Sequence, residues 1–173
     1  MLSIRQREDA SKFRERLSLA ERVVSDMSET FDHVFHPFML RHMRRQFETS
    51  GRYGGAPWAG YDQEPIYAAV KRRRVGHLHV LRGKPGQEKL YPSLTTQGGA
   101  HLWQRSADAA SFGTRLPFAQ GLERGGVGPY GERFPARLIV RLPPRVQRAL
   151  EQLLKADLLA RIEGRSRPSL GGV

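Results

Sequence analysis

Cysteine is absent from this chain, so disulfides, thiolate nucleophiles and cysteine-ligated zinc are all excluded. No apolar run approaches the roughly 18 residues needed to cross a bilayer. The first residues, "MLSIRQREDASKFRER", are charged throughout and lack the apolar core of a secretory signal. The expectation is a product that stays in the cytoplasm where it is made. Hydrophobic residues make up only 39%, which suggests a modest core with long exposed segments rather than a dense enzyme body. Carboxylates are sparse in the middle of the chain, which argues against a paired-carboxylate hydrolase. No internal repeat is visible.

Positive charge is plentiful. The formal net charge is +12, a balance that favours nucleic acid, acidic membranes or acidic proteins as partners. Its placement is uneven. Residues 1–50 are nearly neutral, with nine Lys/Arg against eight Asp/Glu, whereas residues 71–89 hold seven Lys/Arg against Glu88 alone. Lys71, Arg72, Arg73, Arg74, Arg82, Lys84 and Lys89 are therefore the candidate contacts for DNA or an acidic partner.

From Ser18 to Phe47, apolar residues recur at steps of three and four: Ala20, Val24, Met27, Phe31, Val34, Phe35, Phe38 and Phe47. This predicts a long amphipathic helix. Ser18 is a plausible N-cap with Glu21 as capping-box partner, Pro37 should kink or divide the helix, and Gly51 should stop it. "GRYGGAPWAGYDQEP" reads as a loop pinned by Tyr53, Trp58 and Tyr61. "EPIYAAVKRRR" reads as a short helix. The alternation of Val75, Leu78 and Val80 with His77 and His79 suggests a strand, followed by a turn at "GKPGQE". "AHLWQRSADAASFGTRLPFA" looks like two strands around a tight turn. "ERGGVGPYGER" reads as a glycine-rich loop and "FPARLIVRL" as a strand. "PPRVQRALEQLLKADLLARI" predicts a final amphipathic helix, with Val146, Leu150, Leu153, Leu154, Leu158 and Ile162 as its stripe. "EGRSRPSLGGV" is expected to be disordered. The order implies an α+β fold, an antiparallel β-sheet packed against a long N-terminal helix and a C-terminal helix, with long loops. The expected organisation is a charged extension over 1–17, a domain over 18–163 and a tail over 164–173.

Catalytic and metal-binding patterns are thin. His77 and His79 would share one side of a strand, and His33, His36 and His42 lie in the first helix, but no His-Glu-x-x-His arrangement occurs. Ser111 and Thr114 lack a nucleophile elbow, and "GGVGPYG" lacks the Lys-Ser/Thr ending of a P-loop. The expectation is no catalytic residue, no metal and no cofactor: not an enzyme.

Four stretches, in order, carry a resemblance: "FETSGRYGGAPWAGYDQEPIYAAVKR", "LYPSLT", "SFGTRLPFAQGLERGG" and "FPARLIVRL". They resemble the virion morphogenesis family, the tail-completion proteins of tailed phages. Trp58, Tyr67 and Lys71 match the first stretch, and Ser93 and Leu94 the second, which is a strand in that family. Phe112, Gly113, Thr114, Pro117 and Ala119 match the third, and Pro135, Ala136 and Arg137 the last. Phe118 stands where tyrosine is usual, and the family's following His-Gln pair is missing. The resemblance covers roughly residues 47–163.

It implies a structural virion subunit that completes or terminates the tail and joins it to the head or neck. Such a subunit would form a ring homo-oligomer, commonly a hexamer, whose partners are tail-tube, sheath or connector proteins, with DNA passing through the lumen. In that setting "SFGT" ends a strand, "RLPFAQG" turns across the sheet edge and "LERGG" begins a mobile loop. In "FPARLIVRL", Arg137, Ile139 and Arg141 would share one side of a strand, a face too charged for a dry core. The candidate subunit interface is then Phe112, Arg115, Phe118, Glu123, Glu132, Arg137 and Arg141, with Arg137 pairing to Glu123 or Glu132 of a neighbour. The alternative is a basic nucleic-acid-binding module without enzymatic activity.

Overall fold

The computed structural model describes residues 4–58, 68–69, 72–73, 81, 89–127 and 133–168. The chain is an α+β protein. In order it forms α1 (Ile4–Ser25), α2 (Ser28–Thr30), a π-helical turn (Phe31–Phe35), α3 (His36–Glu48) and a 3₁₀ turn (Arg52–Gly54). Then follow α4 (Leu90–Thr95), β1 (His101–Arg105), β2 (Ala110–Thr114), α5 (Phe118–Arg124), β3 (Gly126–Val127), β4 (Arg133–Phe134) and α6 (Pro144–Glu163). The β-structure among the described residues is two separate two-stranded sheets, β1–β2 and β3–β4. Apart from Leu81, the proposed strand and turn over 75–88 lie outside the described residues. Ala68, Ala69, Arg72 and Arg73 are helical.

The chain divides into two compact units. Unit 1 comprises Met1–Phe38, Gln104–Ala110 and Val146–Val173; unit 2 comprises Met39–Trp103 and Ser111–Arg145.

In unit 1, the long first helix is really two helices. Ser18 lies inside α1 rather than capping it. The break comes at Asp26 and Met27, where the Ser28 amide donates to the Asp26 carboxylate at 2.9 Å and starts α2. Hydrogen bonding from the Ser28 side chain, and after it from the Ser28 amide, holds the Asp26 pKa below the ordinary carboxylate value. Pro37 follows the π turn as the second residue of α3. Proline has no amide to offer the carbonyl one turn back, and the wider turn makes room for its ring. Val23, Phe31, Val34, Phe38, Val146, Leu150 and Ala160 are buried.

α6 bears the expected apolar stripe, but its buried edge runs through Asp157 and Ala160, while Leu158 and Ile162 stay half-exposed. Asp157 is fully buried and accepts a 2.8 Å hydrogen bond from Thr30 Oγ1. Arg161 Nη1 donates to the same hydroxyl oxygen at 2.9 Å, and Arg167 Nε lies 3.8 Å from Asp157 Oδ1. Residues 164–168, expected to be disordered, are held instead. Gly164 adopts φ +65°, Arg165 N bonds to Ala160 O at 2.8 Å, and Arg167 pairs with Glu29.

In unit 2, α3 ends in a Schellman motif. Gly51 N bonds to Gln46 O at 2.8 Å and Ser50 N approaches Phe47 O at 3.4 Å. The left-handed residues are Ser50 (φ +49°) and Gly51 (φ +86°). A Cβ on Gly51 would lie 2.6 Å from Ala56 O and from Trp58 Cδ1, so glycine is required there. The core gathers Met43, Phe47, Trp58, Leu81, Leu90, Leu94 and Ile139. Phe47 stands edge-on to Trp58 at 5.2 Å and to Tyr91 at 5.1 Å.

Three expectations are corrected here. "LYPSLT" is helix α4, not a strand, and its Ser93 hydroxyl lies 2.8 Å from Leu90 O, one turn back. "AQGLER" is helix α5, not a turn into a mobile loop. The ends of the glycine-rich loop pair as β3 and β4, Gly126 opposite Phe134 and Val127 opposite Arg133.

Candidate functional site

The residues after Phe134 decide the site. "PARLIVRL", expected to be a strand, forms no strand and belongs to no sheet. Its backbone is held instead by bonds from elsewhere in unit 2. Arg137 N donates to Leu122 O at 3.1 Å, Trp58 Nε1 to Leu138 O at 3.2 Å and His42 Nε2 to Arg141 O at 2.8 Å.

The alternation expected of this segment holds, but its polarity is reversed. Arg137 and Ile139 are both 3% exposed, while Leu138 and Val140 face solvent at 47% and 38%. Ile139 belongs to the dry core, because the three bonds fix that register whatever the charge of its neighbours. Arg137 is therefore buried within the chain, against the expectation of a guanidinium exposed for pairing with a second copy. Arg141 is exposed.

His42 is the buried hinge of this arrangement. Its Nε2 proton goes to Arg141 O, and its buried Nδ1 has no partner among the described residues. A second proton would sit on that nitrogen with no acceptor. Burial accordingly holds the His42 pKa below the usual histidine value, opposed in part by the hydrogen bond to Arg141 O.

Ile139 forms one wall of a cavity of about 330 Å³. Leu90 and Leu94 of α4 contribute another wall, and Phe112, Gly113 and Thr114 of β2 a third. Leu116 and, from α5, Ala119, Gln120 and Glu123 complete it. The bonds flanking the β1–β2 hairpin, Arg115 N to Ala100 O at 2.8 Å and Ser106 N to Ala109 O at 2.8 Å, set one antiparallel register. That register puts His101, Trp103, Phe112 and Thr114 on one face. His101 and Phe112 accordingly meet edge-on at 5.2 Å. The Thr114 hydroxyl lies 2.9 Å from that of Ser93, and the His101 Nδ1 proton goes to Ser93 O at 2.6 Å, so α4 is tied to the hairpin by polar bonds beside an apolar cavity.

Of the proposed interface residues, Phe112 and Glu123 line the cavity and are half-buried. Phe118 stands on α5 at 47% exposure, and Arg115 is exposed. Glu132 lies outside the described residues. Of the proposed DNA or acidic-partner contacts, Arg72, Arg73 and Lys89 are exposed, and Lys71, Arg74, Arg82 and Lys84 lie outside the described residues. Among the described residues no group of three His, Asp or Glu side chains could hold a metal ion. Likewise, no described helix is long and apolar enough to cross a membrane.

Composition did not point to His42, whose role comes from Arg141, 99 positions away in sequence. No family model, no curated protein and no solved structure matches the chain.

Proposed function

We propose that the chain is a structural subunit of a tailed-phage virion. It completes or terminates the tail and joins it to the head or neck, as a ring around the DNA channel. The observation that carries this reading is the convergence of three of the four family-like stretches on one cavity. Leu94 from "LYPSLT", Phe112, Gly113, Thr114, Leu116 and Ala119 from "SFGTRLPFA" and Ile139 from "FPARLIVRL" all line it. Residues widely spaced in sequence that build one apolar recess suit a receptor for a neighbour's side chains.

A closed ring uses two different faces of each subunit. The second face is on α1. Phe13, Leu17 and Val24 are exposed at 66%, 51% and 61%. At about 100° per residue they form one stripe. The reading places this stripe against the cavity and Phe118 of the next copy. Interfaces of this kind draw their affinity from a few buried aromatic anchors.

Native mass spectrometry and negative-stain imaging of the purified chain test it. The expected result is a ring of roughly six copies, a closed cyclic assembly. Phe13→Ser and Phe118→Ser, both at exposed positions, should each yield folded monomers. A wild-type chain that stays monomeric at high concentration would overturn the reading.

A further inference from the structure

Unit 2 carries a second concentration of positive charge, away from the 71–89 cluster in sequence and built around one ring. Arg45 of α3 and Arg145 each place a guanidinium carbon 5.4 Å from the centroid of Tyr53. Arg45 Nη1 also donates to Tyr53 Oη at 3.2 Å, and Arg145 Nη2 to Tyr53 O at 3.0 Å. The uncharged His42 ring lies 5.3 Å from the same centroid. Arg44 and Arg52, beside them in sequence, are exposed, as is Arg141, whose carbonyl His42 holds.

None of these five arginines has a carboxylate partner among the described residues. The ion pairs there all belong to unit 1. Glu48, on the same helix, is exposed and within salt-bridge distance of no described arginine. The ring quadrupole attracts each guanidinium but leaves the repulsion between them uncompensated. An anion seated across them would remove it, and the planar fork of arginine suits a phosphate.

We propose that this arginine–tyrosine cluster is a phosphate-backbone contact for double-helical DNA. The surroundings of Tyr53 select that mode over base stacking. With two guanidiniums and an imidazole already packed around it, the ring offers no free platform for an unpaired base. Contacts to phosphates carry no sequence information, so the contact is independent of sequence. The inference does not rest on ring assembly.

The test uses the full chain and a mixed-sequence duplex, with binding followed by fluorescence anisotropy across a salt series. Each neutralised phosphate contributes about 0.9 to the slope of log K against log salt. The Arg45→Gln/Arg145→Gln variant should bind at least about tenfold more weakly and flatten the slope by about 2. A second variant, Arg44→Gln/Arg52→Gln at exposed positions, should flatten it similarly should the first fail to fold. The control Arg14→Gln/Arg16→Gln removes the same charge from exposed positions on α1 and should leave the slope unchanged. Equal losses in cluster variants and control would overturn the proposal, since net charge alone would then account for binding. So would displacement of the duplex by millimolar inorganic phosphate at constant ionic strength, the mark of a free-phosphate site. Tighter binding of a single strand, lost in Tyr53→Leu but kept in Tyr53→Phe, would replace it with stacking.

Discussion

Asp157 offers a sharp test of what holds unit 1 together. Its carboxylate is fully buried, as is Thr30, whose hydroxyl donates to it at 2.8 Å. Arg167 stands 3.8 Å from the other carboxylate oxygen, with its side chain 31% exposed. A hydrogen bond to a buried charged acceptor contributes about 1.5–3 kcal/mol, whereas a solvent-screened ion pair contributes about 0–1 kcal/mol. The hydroxyl contact should therefore dominate. Asp157→Ala leaves a buried hydroxyl without its acceptor as well as a small void, and should cost about 3 kcal/mol. At this chain length that lowers Tm by roughly 6–12 °C. Asp157→Asn keeps an acceptor for Thr30 and should cost about half as much. Arg167→Ala should cost under about 1 kcal/mol. Urea denaturation of the three variants, with Thr30→Ala completing a double-mutant cycle, measures the coupling directly. If Arg167→Ala costs as much as Asp157→Ala while Thr30→Ala is neutral, the ion pair holds the carboxylate and the reasoning fails.

Gly51→Ala combines a positive φ with Cβ contacts at 2.6 Å to Ala56 O and Trp58 Cδ1. It should cost at least about 2–3 kcal/mol, read as a lower urea midpoint, because neither backbone nor indole can retreat. His42 is buried neutral with a lowered pKa. The unfolded chain therefore takes up its proton first, and stability should fall as pH drops below the unfolded histidine value of about 6.5. That part of the pH dependence of Tm should vanish in His42→Gln, and an unchanged profile would refute it. Trp58→Phe removes the donor to Leu138 O and should cost about 1 kcal/mol beyond the loss of packing, measured by thermal unfolding. Arg137→Glu, at a position 3% exposed, should lower Tm rather than produce a stable folded monomer.

Local patterns in the amino-acid sequence determined much of this chain's structure. The 3.6-residue spacing in 18–47 and 144–163 predicted helices there. The alternation around "SADAA" predicted the β1–β2 hairpin, and the glycine at 51 marked the end of α3. Each depends on neighbours within a few residues, which periodicity and turn chemistry capture. The break at Asp26 and the π turn before Pro37 were harder to see, because one acceptor or one missing amide shifts a helix without disturbing its apolar spacing.

Only the tertiary structure decided which side of "PARLIVRL" is inside. Its alternation was legible, but its polarity depends on Trp58, His42 and Leu122, which lie far away in sequence and hold its backbone. The same applies to "LYPSLT", whose six residues are too few for periodicity to separate helix from strand. Burial of Asp157 in a leucine stripe is likewise unreadable from spacing, because the hydroxyl that compensates it is 127 positions away. The cavity and the arginine–tyrosine cluster each join segments remote in sequence. No local pattern specifies such a meeting. Packing settles it, by satisfying buried polar groups and closing apolar surface at the same time.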